Sequence, residues 1–97
     1  MSVARPVNEV TECHCSICRR YGALWAYYRT QDVSFTGPTV TYVWGRERIA
    51  FHHCGNCGCV MGWLPHGPYP ECAVNARVLD RFDLKAVTLI VEDDASV

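Results

Sequence analysis

The apolar residues of this chain fall in short runs cut by glycine, proline and charged residues. Residues 23–28 (Ala-Leu-Trp-Ala-Tyr-Tyr) follow Gly22 and suit a strand. Residues 35–38 carry turn chemistry. Residues 39–44 (Thr-Val-Thr-Tyr-Val-Trp) mix β-branched and aromatic side chains and predict a strand that Gly45 breaks. Residues 48–53 predict another strand, and so do residues 60–64, which stop at Pro65. Between Pro65 and Pro70 proline and glycine recur too often for regular structure. Residues 72–76 predict a strand, residues 78–85 a helical turn with Asp80 near its start, and residues 87–91 a last strand closed by Glu92, Asp93 and Asp94. Residues 1–12, polar and aperiodic, predict an arm or a weak first strand. Short strands at close spacing with this punctuation define an all-β domain.

Length and charge then narrow the picture. With 97 residues the chain has room for one core, so a single domain over 1–97 is expected. The net charge is −1 and the arginines, Arg46, Arg48 and Arg81 among them, are scattered apart from the pair Arg19-Arg20. No basic stripe of the kind that tracks nucleic acid is visible. No apolar run approaches the ~20 residues of a membrane span, and the first residues lack a signal-peptide pattern. A cytoplasmic protein with reduced cysteines is therefore expected.

Six of the seven cysteines form two clusters, Cys13-x-Cys15-x2-Cys18 and Cys54-x2-Cys57-x-Cys59, whose spacings are mirror images. A C-x2-C turn lets two thiolates converge on one ion, and Gly58 permits the left-handed backbone such a turn often needs. Residues i and i+2 of an extended chain share a face, so Cys13 and Cys15 can reach one metal together. Zinc is the cofactor this pattern implies, and it would staple a small fold. A closed site needs four of Cys13, Cys15, Cys18, Cys54, Cys57 and Cys59; the rest are left to ligate a second ion, react or pack. A zinc on three thiolates keeps an open position for chemistry.

Residues 13–20 (Cys-His-Cys-Ser-Ile-Cys-Arg-Arg), 22–26, 51–59 (Phe-His-His-Cys-Gly-Asn-Cys-Gly-Cys) and 74–77 (Val-Asn-Ala-Arg) together resemble the glutathione-dependent formaldehyde-activating enzyme family. The resemblance implies a β-tent-type zinc fold of packed antiparallel sheets. It also implies carbon–sulfur lyase chemistry that condenses formaldehyde with glutathione to S-hydroxymethylglutathione. By the same resemblance Cys13, Cys15 and Cys18 hold a catalytic zinc. Cys54 and Cys57 would share a structural zinc with an upstream C-x-C-G motif, but residues 1–12 contain no cysteine. Two arrangements follow. In one, a single four-thiolate zinc sits on Cys15, Cys18, Cys54 and Cys57, with Cys13 as an alternative ligand. In the other, Cys13, Cys15 and Cys18 keep an open zinc that ionises the glutathione thiol, with Arg19, Arg20 or Arg77 on its carboxylates. Competing functions are a non-catalytic zinc module that binds a ligand or protein, and a thiol or redox sensor. A sheet edge left by the absent strand invites pairing, so a homodimer is expected.

The other chemistry-bearing residues have plainer expectations. His14 is expected to point away from the metal, and adjacent His52 and His53 to face opposite sides of a strand, one packed and one exposed. Cys59 and Cys72 are expected to pack. Trp25, Tyr27, Trp44 and Trp63 are expected as core and sheet-face aromatics, and Asn75 and Asp80 as turn or capping residues.

Overall fold

The structure, a computed structural model, describes residues 2–35, 37–44, 49–65, 67, 69–79 and 82–92. The expectations for Gly45, Asp80, the arginines at 46, 48 and 81, and residues 93 and 94 lie outside them. The strands in chain order are β1 (Ser2–Val3), β2 (Glu9–Cys13), β3 (Trp25–Arg29), β4 (Val33–Ser34), β5 (Thr39–Trp44), β6 (Ile49–Cys54), β7 (Val60–Pro65), β8 (Glu71–Asn75) and β9 (Thr88–Glu92). One helical turn, α1 (Cys18–Tyr21), interrupts them. The all-β class read from the sequence is the class of the structure.

Seven strands form one open sheet in the order β5-β6-β7-β8-β3-β2-β9, and β1 pairs with β4 as a separate ribbon. All pairings are antiparallel except β2 with β9, which run parallel from Glu9 opposite Thr88 to Cys13 opposite Glu92. That parallel pair departs from the expected antiparallel architecture. It needs the whole chain between the two strands as its crossover, which no local pattern reveals. The polar segment before Cys13 conceals β2 for a related reason. Its flanking strands β3 and β9 supply the hydrogen bonds, and only Val10 and Thr11 are buried.

Alternation decides what each face holds. On one face Ala26 and Tyr28 stand beside Val74 and Cys72, joined by Val10 and Leu24 and covered by Val3, Val7, Val33, Phe35 and Phe82. On the other, Trp25 and Ala73 join Phe51 and Val60 under α1 and the first cysteine cluster. Trp25, Phe51 and Leu24 are almost fully enclosed, each worth roughly 1.5–3 kcal/mol of apolar burial. Trp25 thus fulfils its expected core role, and Cys72 is a buried core residue. Tyr27 instead keeps 40% of its exposure and meets Trp63 edge-on at 6.3 Å.

Gly62 is where the sheet tolerates no side chain. A Cβ there would lie 2.4 Å from the Ala73 carbonyl oxygen and 2.9 Å from the Phe35 ring. Residues 80 and 81 of the helical turn expected over 78–85 lie outside the described residues; on either side of them stand two 3₁₀ turns, Ala76–Val78 and Leu84–Ala86. Asn75 and Asp83 cap them by accepting from Arg77 N and Lys85 N. Such side chains offer the backbone a cap two residues on. Among the described residues, no helix is long and apolar enough to cross a membrane.

Candidate metal centre

β2 ends at Cys13, and the chain then turns into α1 through Cys15 and Ile17. Arg19 N bonds to Cys15 O at 3.1 Å and Tyr21 N to Ile17 O at 3.1 Å, so one helical turn forms directly behind the cluster. Gly22, at φ 65°, closes it by donating to Cys18 O at 3.0 Å, as a left-handed cap requires. The result brings the Sγ atoms of Cys13, Cys15 and Cys18 within 4.8 Å of one another. Among the described residues they are the one group of three or more metal-ligand side chains so assembled.

Their surroundings favour ions held between them. Cys18 N donates to Cys15 Sγ at 3.4 Å, and Trp25 Nε1 donates to Cys18 Sγ at 3.3 Å. Burial opposes ionisation of Cys15, but amide donors from Cys18 and Ile17 and the neighbouring thiols together hold it below the ordinary thiol value. Burial, with the crowding of the other two sulfurs, pushes Cys18 far up, and burial raises Cys13. Three sulfurs this close cannot all ionise without a cation among them. A soft divalent ion removes that conflict, so the donor set fits zinc or a similar metal; the thiolates also suit no hard cation such as magnesium.

A cavity of about 270 Å³ opens beside the triad, lined by Cys13, Cys18, Glu12, His14, Arg19 and Arg77 among others. Arg77 Nε donates to Gly22 O at 3.1 Å, which fixes that guanidinium at the rim. Arg20 is turned elsewhere, its Nη1 donating to Ser16 O. His14 Nε2 is 2.8 Å from Glu12 Oε2. Because a carboxylate only accepts, Nε2 carries the proton of that bond. This pair was missed in the sequence, although positions 12 and 14 share a face of an extended chain. Asn75, expected only as a turn residue, does more. Its Oδ1 accepts from Leu24 N and Arg77 N at 3.3 Å, and its Nδ2 donates to Val60 O at 3.0 Å. It thereby ties β7 and β8 to the chain that enters β3.

The second cluster lies in the β6–β7 turn. Cys54 N donates to Cys59 O and Gly58 N to Cys54 O, both at 2.9 Å, with Gly58 at φ 78°. Gly55 N donates to Pro38 O at 2.9 Å, an approach that a Cβ at residue 55 would block. Amide donors from Cys57 and Asn56, and the Cys57 thiol, draw the Cys54 thiol below its ordinary value. Cys54 is half-buried, whereas Cys57 and Cys59 are exposed. The expectation that Cys59 packs is therefore corrected: Gly58 swings it outward before β7 begins.

The single zinc on Cys15, Cys18, Cys54 and Cys57 is not assembled, and sheet parity explains why. Thr11 pairs with Trp25, so Cys13 two residues on shares the Trp25 face. Cys54 pairs with Thr39, whose Oγ1 meets His52 Nδ1 at 3.3 Å on the opposite face, where His52 stacks on Phe35 at 5.1 Å. The clusters lie on different sides of one sheet. His52 and His53 do face opposite sides, but both are half-buried. His53 bonds to Tyr21 Oη at 2.9 Å and to Val40 O at 3.2 Å, in place of the expected packed-and-exposed division. The side chain of Trp44 lies outside the described set.

Comparison with known proteins bears on the fold alone. No protein-family model matches the chain, and no curated protein does. The crystal structure of a Rhodobacter sphaeroides protein, a structural-genomics target, is similar with a TM-score of 0.70 and 24% identity. The likeness covers 90% of this chain and 85% of that one. The chain is thus an all-β domain with a three-cysteine cluster able to hold a metal ion.

Proposed function

We propose that this protein is a zinc-dependent carbon–sulfur lyase of the glutathione-dependent formaldehyde-activating type, and a member of that family. The observation that carries the reading is a cluster of only three thiols, two of which line a cavity flanked by Arg19 and Arg77. Zinc bound there would supply an open coordination position at which an incoming thiol ionises. The cavity admits a small thiol and an aldehyde beside it. Arg77, anchored through Nε, retains its terminal nitrogens for a carboxylate, and Arg19 stands on the same cavity wall. The ionised sulfur adds to the formaldehyde carbon, a carbon–sulfur bond forms, and the carbonyl oxygen takes a proton. His14 in its doubly protonated form, paired with Glu12 on that wall, is the group placed to deliver it, the thiol's proton restoring that form afterwards.

The test is exchange spectroscopy on labelled formaldehyde with glutathione and the zinc-loaded protein. Faster hydroxymethyl transfer than in buffer is expected, abolished by Cys13→Ser. Arg77→Ala should raise KM for glutathione roughly tenfold or more, the worth of a charge-assisted bond. No amide shift near residues 13–18 at millimolar glutathione would overturn the reading and leave a non-catalytic zinc module.

A further inference from the structure

Among the described residues the seven-stranded sheet ends at β5 on one side and at β9 on the other. Natural sheet edges are blunted by lysine, proline or a bulge. β9 carries none of these: Thr-Leu-Ile-Val-Glu pairs with β2 along its whole length without a break in register. Leu89, Ile90 and Val91 keep 45%, 39% and 51% of their exposure, so apolar side chains stand open on both faces of the strand. In β5, by contrast, Thr39 and Thr41 alternate with the apolar residues.

The hydrogen bonds to β2 fix which backbone groups of β9 are open. Thr88 N donates to Asn8 O at 3.0 Å, and Glu92 O accepts from His14 N at 2.8 Å. In a parallel ladder alternate residues turn both amide and carbonyl toward the same neighbour. Thr88, Ile90 and Glu92 therefore face β2, and the amides and carbonyls of Leu89 and Val91 point away from it. The open groups lie symmetrically about Ile90.

We propose that β9 pairs antiparallel with β9 of a second copy of this chain, about a two-fold axis at Ile90, joining two sheets into one. In this register Leu89 of one copy and Val91 of the other exchange backbone hydrogen bonds on each side of the axis. Ile90 meets its own counterpart at the close, non-hydrogen-bonded spacing, an apolar cross-strand pair. Glu92 falls opposite Thr88, so no like charges meet along the strand. Sliding the register by two residues either way shortens the paired stretch, and one of the two slides sets Glu92 against Ile90. Open backbone groups, apolar residues and charge all match themselves under one two-fold, which fits a second copy better than an unrelated extended segment. The interface shares no residue with the cavity at the triad, so it stands independently of the lyase reading.

Sedimentation of the reduced, zinc-loaded protein tests it. The expected result is a dimer whose Leu89 and Val91 amides exchange slowly with solvent, and faster on dilution. Val91→Pro removes an amide that β2 does not use, so it should be monomeric with native near-ultraviolet dichroism. Thr88→Lys sets opposite charges across the interface and should lower the dimer Kd roughly threefold or more, whereas Thr88→Glu should raise it. The two Thr88 variants read the same contact if the proline variant does not fold. Tyr42→Lys, on the β5 edge, should leave the dimer intact. A monomer at millimolar concentration, a dimer of folded Val91→Pro, a Thr88→Lys dimer no tighter than the parent's, or loss of the dimer in Tyr42→Lys would each overturn the proposal.

Discussion

Cys15 and Cys18 keep 5% and 8% of their exposure and pack with Trp25 and Phe51, whereas Cys57 and Cys59 stand in solvent at the tip of the β6–β7 turn. The spacings of the two clusters are mirror images, so spacing alone does not separate them. What precedes and follows each cluster does. The first leaves a central strand and enters a helical turn that folds back over the sheet, so its sulfurs become part of a core. The second joins two neighbouring strands by a tight turn, and a tight turn has no inside. Burial gathers the sulfurs of the first cluster into a three-ligand cup; exposure leaves those of the second at a solvent-facing turn.

The sharpest way to break that contrast is to remove one sulfur from each side. Cys18→Ser takes away a triad ligand and the acceptor of the Trp25 indole bond in a buried position. A loss of about 3–5 kcal/mol is expected in the zinc-loaded protein, the range reached when a metal site and a buried contact fail together. Cys57→Ser in the metal-free protein should lie within about 0.5 kcal/mol of the parent, as exposed substitutions do. Denaturant titration with and without chelator reads both. Equal losses at the two positions would show that the knuckle is as much a part of the core as the triad.

Asn75→Ala comes next and strikes the frame that ties β7 and β8 to the chain entering β3. Three hydrogen bonds end on this one side chain, which is 6% exposed. Leaving Leu24 N and Val60 O without partners should lower stability by roughly 2–4 kcal/mol. Asn75→Asp keeps an acceptor for Leu24 N and Arg77 N but sets a buried carboxylate oxygen against the Val60 carbonyl, so it should not recover the parent's stability at neutral pH. A melt of Asn75→Ala that matches the parent would mean water replaces all three bonds.

The sequence makes the strands β3, β5, β6, β7, β8 and β9 legible, because each buries or pairs through local runs of apolar and β-branched residues. It hides β2, whose hydrogen bonds come from strands distant in sequence. It makes both cysteine clusters visible, yet leaves open whether they share one ion. Register carries that information: Cys13 belongs with Trp25 and Cys54 with Thr39, and a one-residue difference in register sends a side chain to the other face. Asn75 was legible as a cap, but its reach to Val60 was not, since it depends on how β7 lies against β8.

Tyr21→Phe has the smallest expected effect and asks whether the two clusters communicate. Tyr21 ends the helical turn of the first cluster, and His53 immediately precedes Cys54 of the second. The Val40 carbonyl can only accept, so the bond at His53 Nδ1 places a proton there, and Nε2 then accepts from Tyr21 Oη. Burial holds the Tyr21 phenol above its ordinary value, which keeps that hydroxyl protonated and donating at neutral pH. Removing the hydroxyl should lower stability by about 0.5–1.5 kcal/mol and move the His53 Nε2 resonance. The ring contacts with Phe51, at 5.1 Å, remain. If filling the triad with zinc shifts His53 in the parent but not in Tyr21→Phe, this single bond links the first cluster to the strand that leads into the second. If the shift persists in the variant, the strands of the sheet carry it instead.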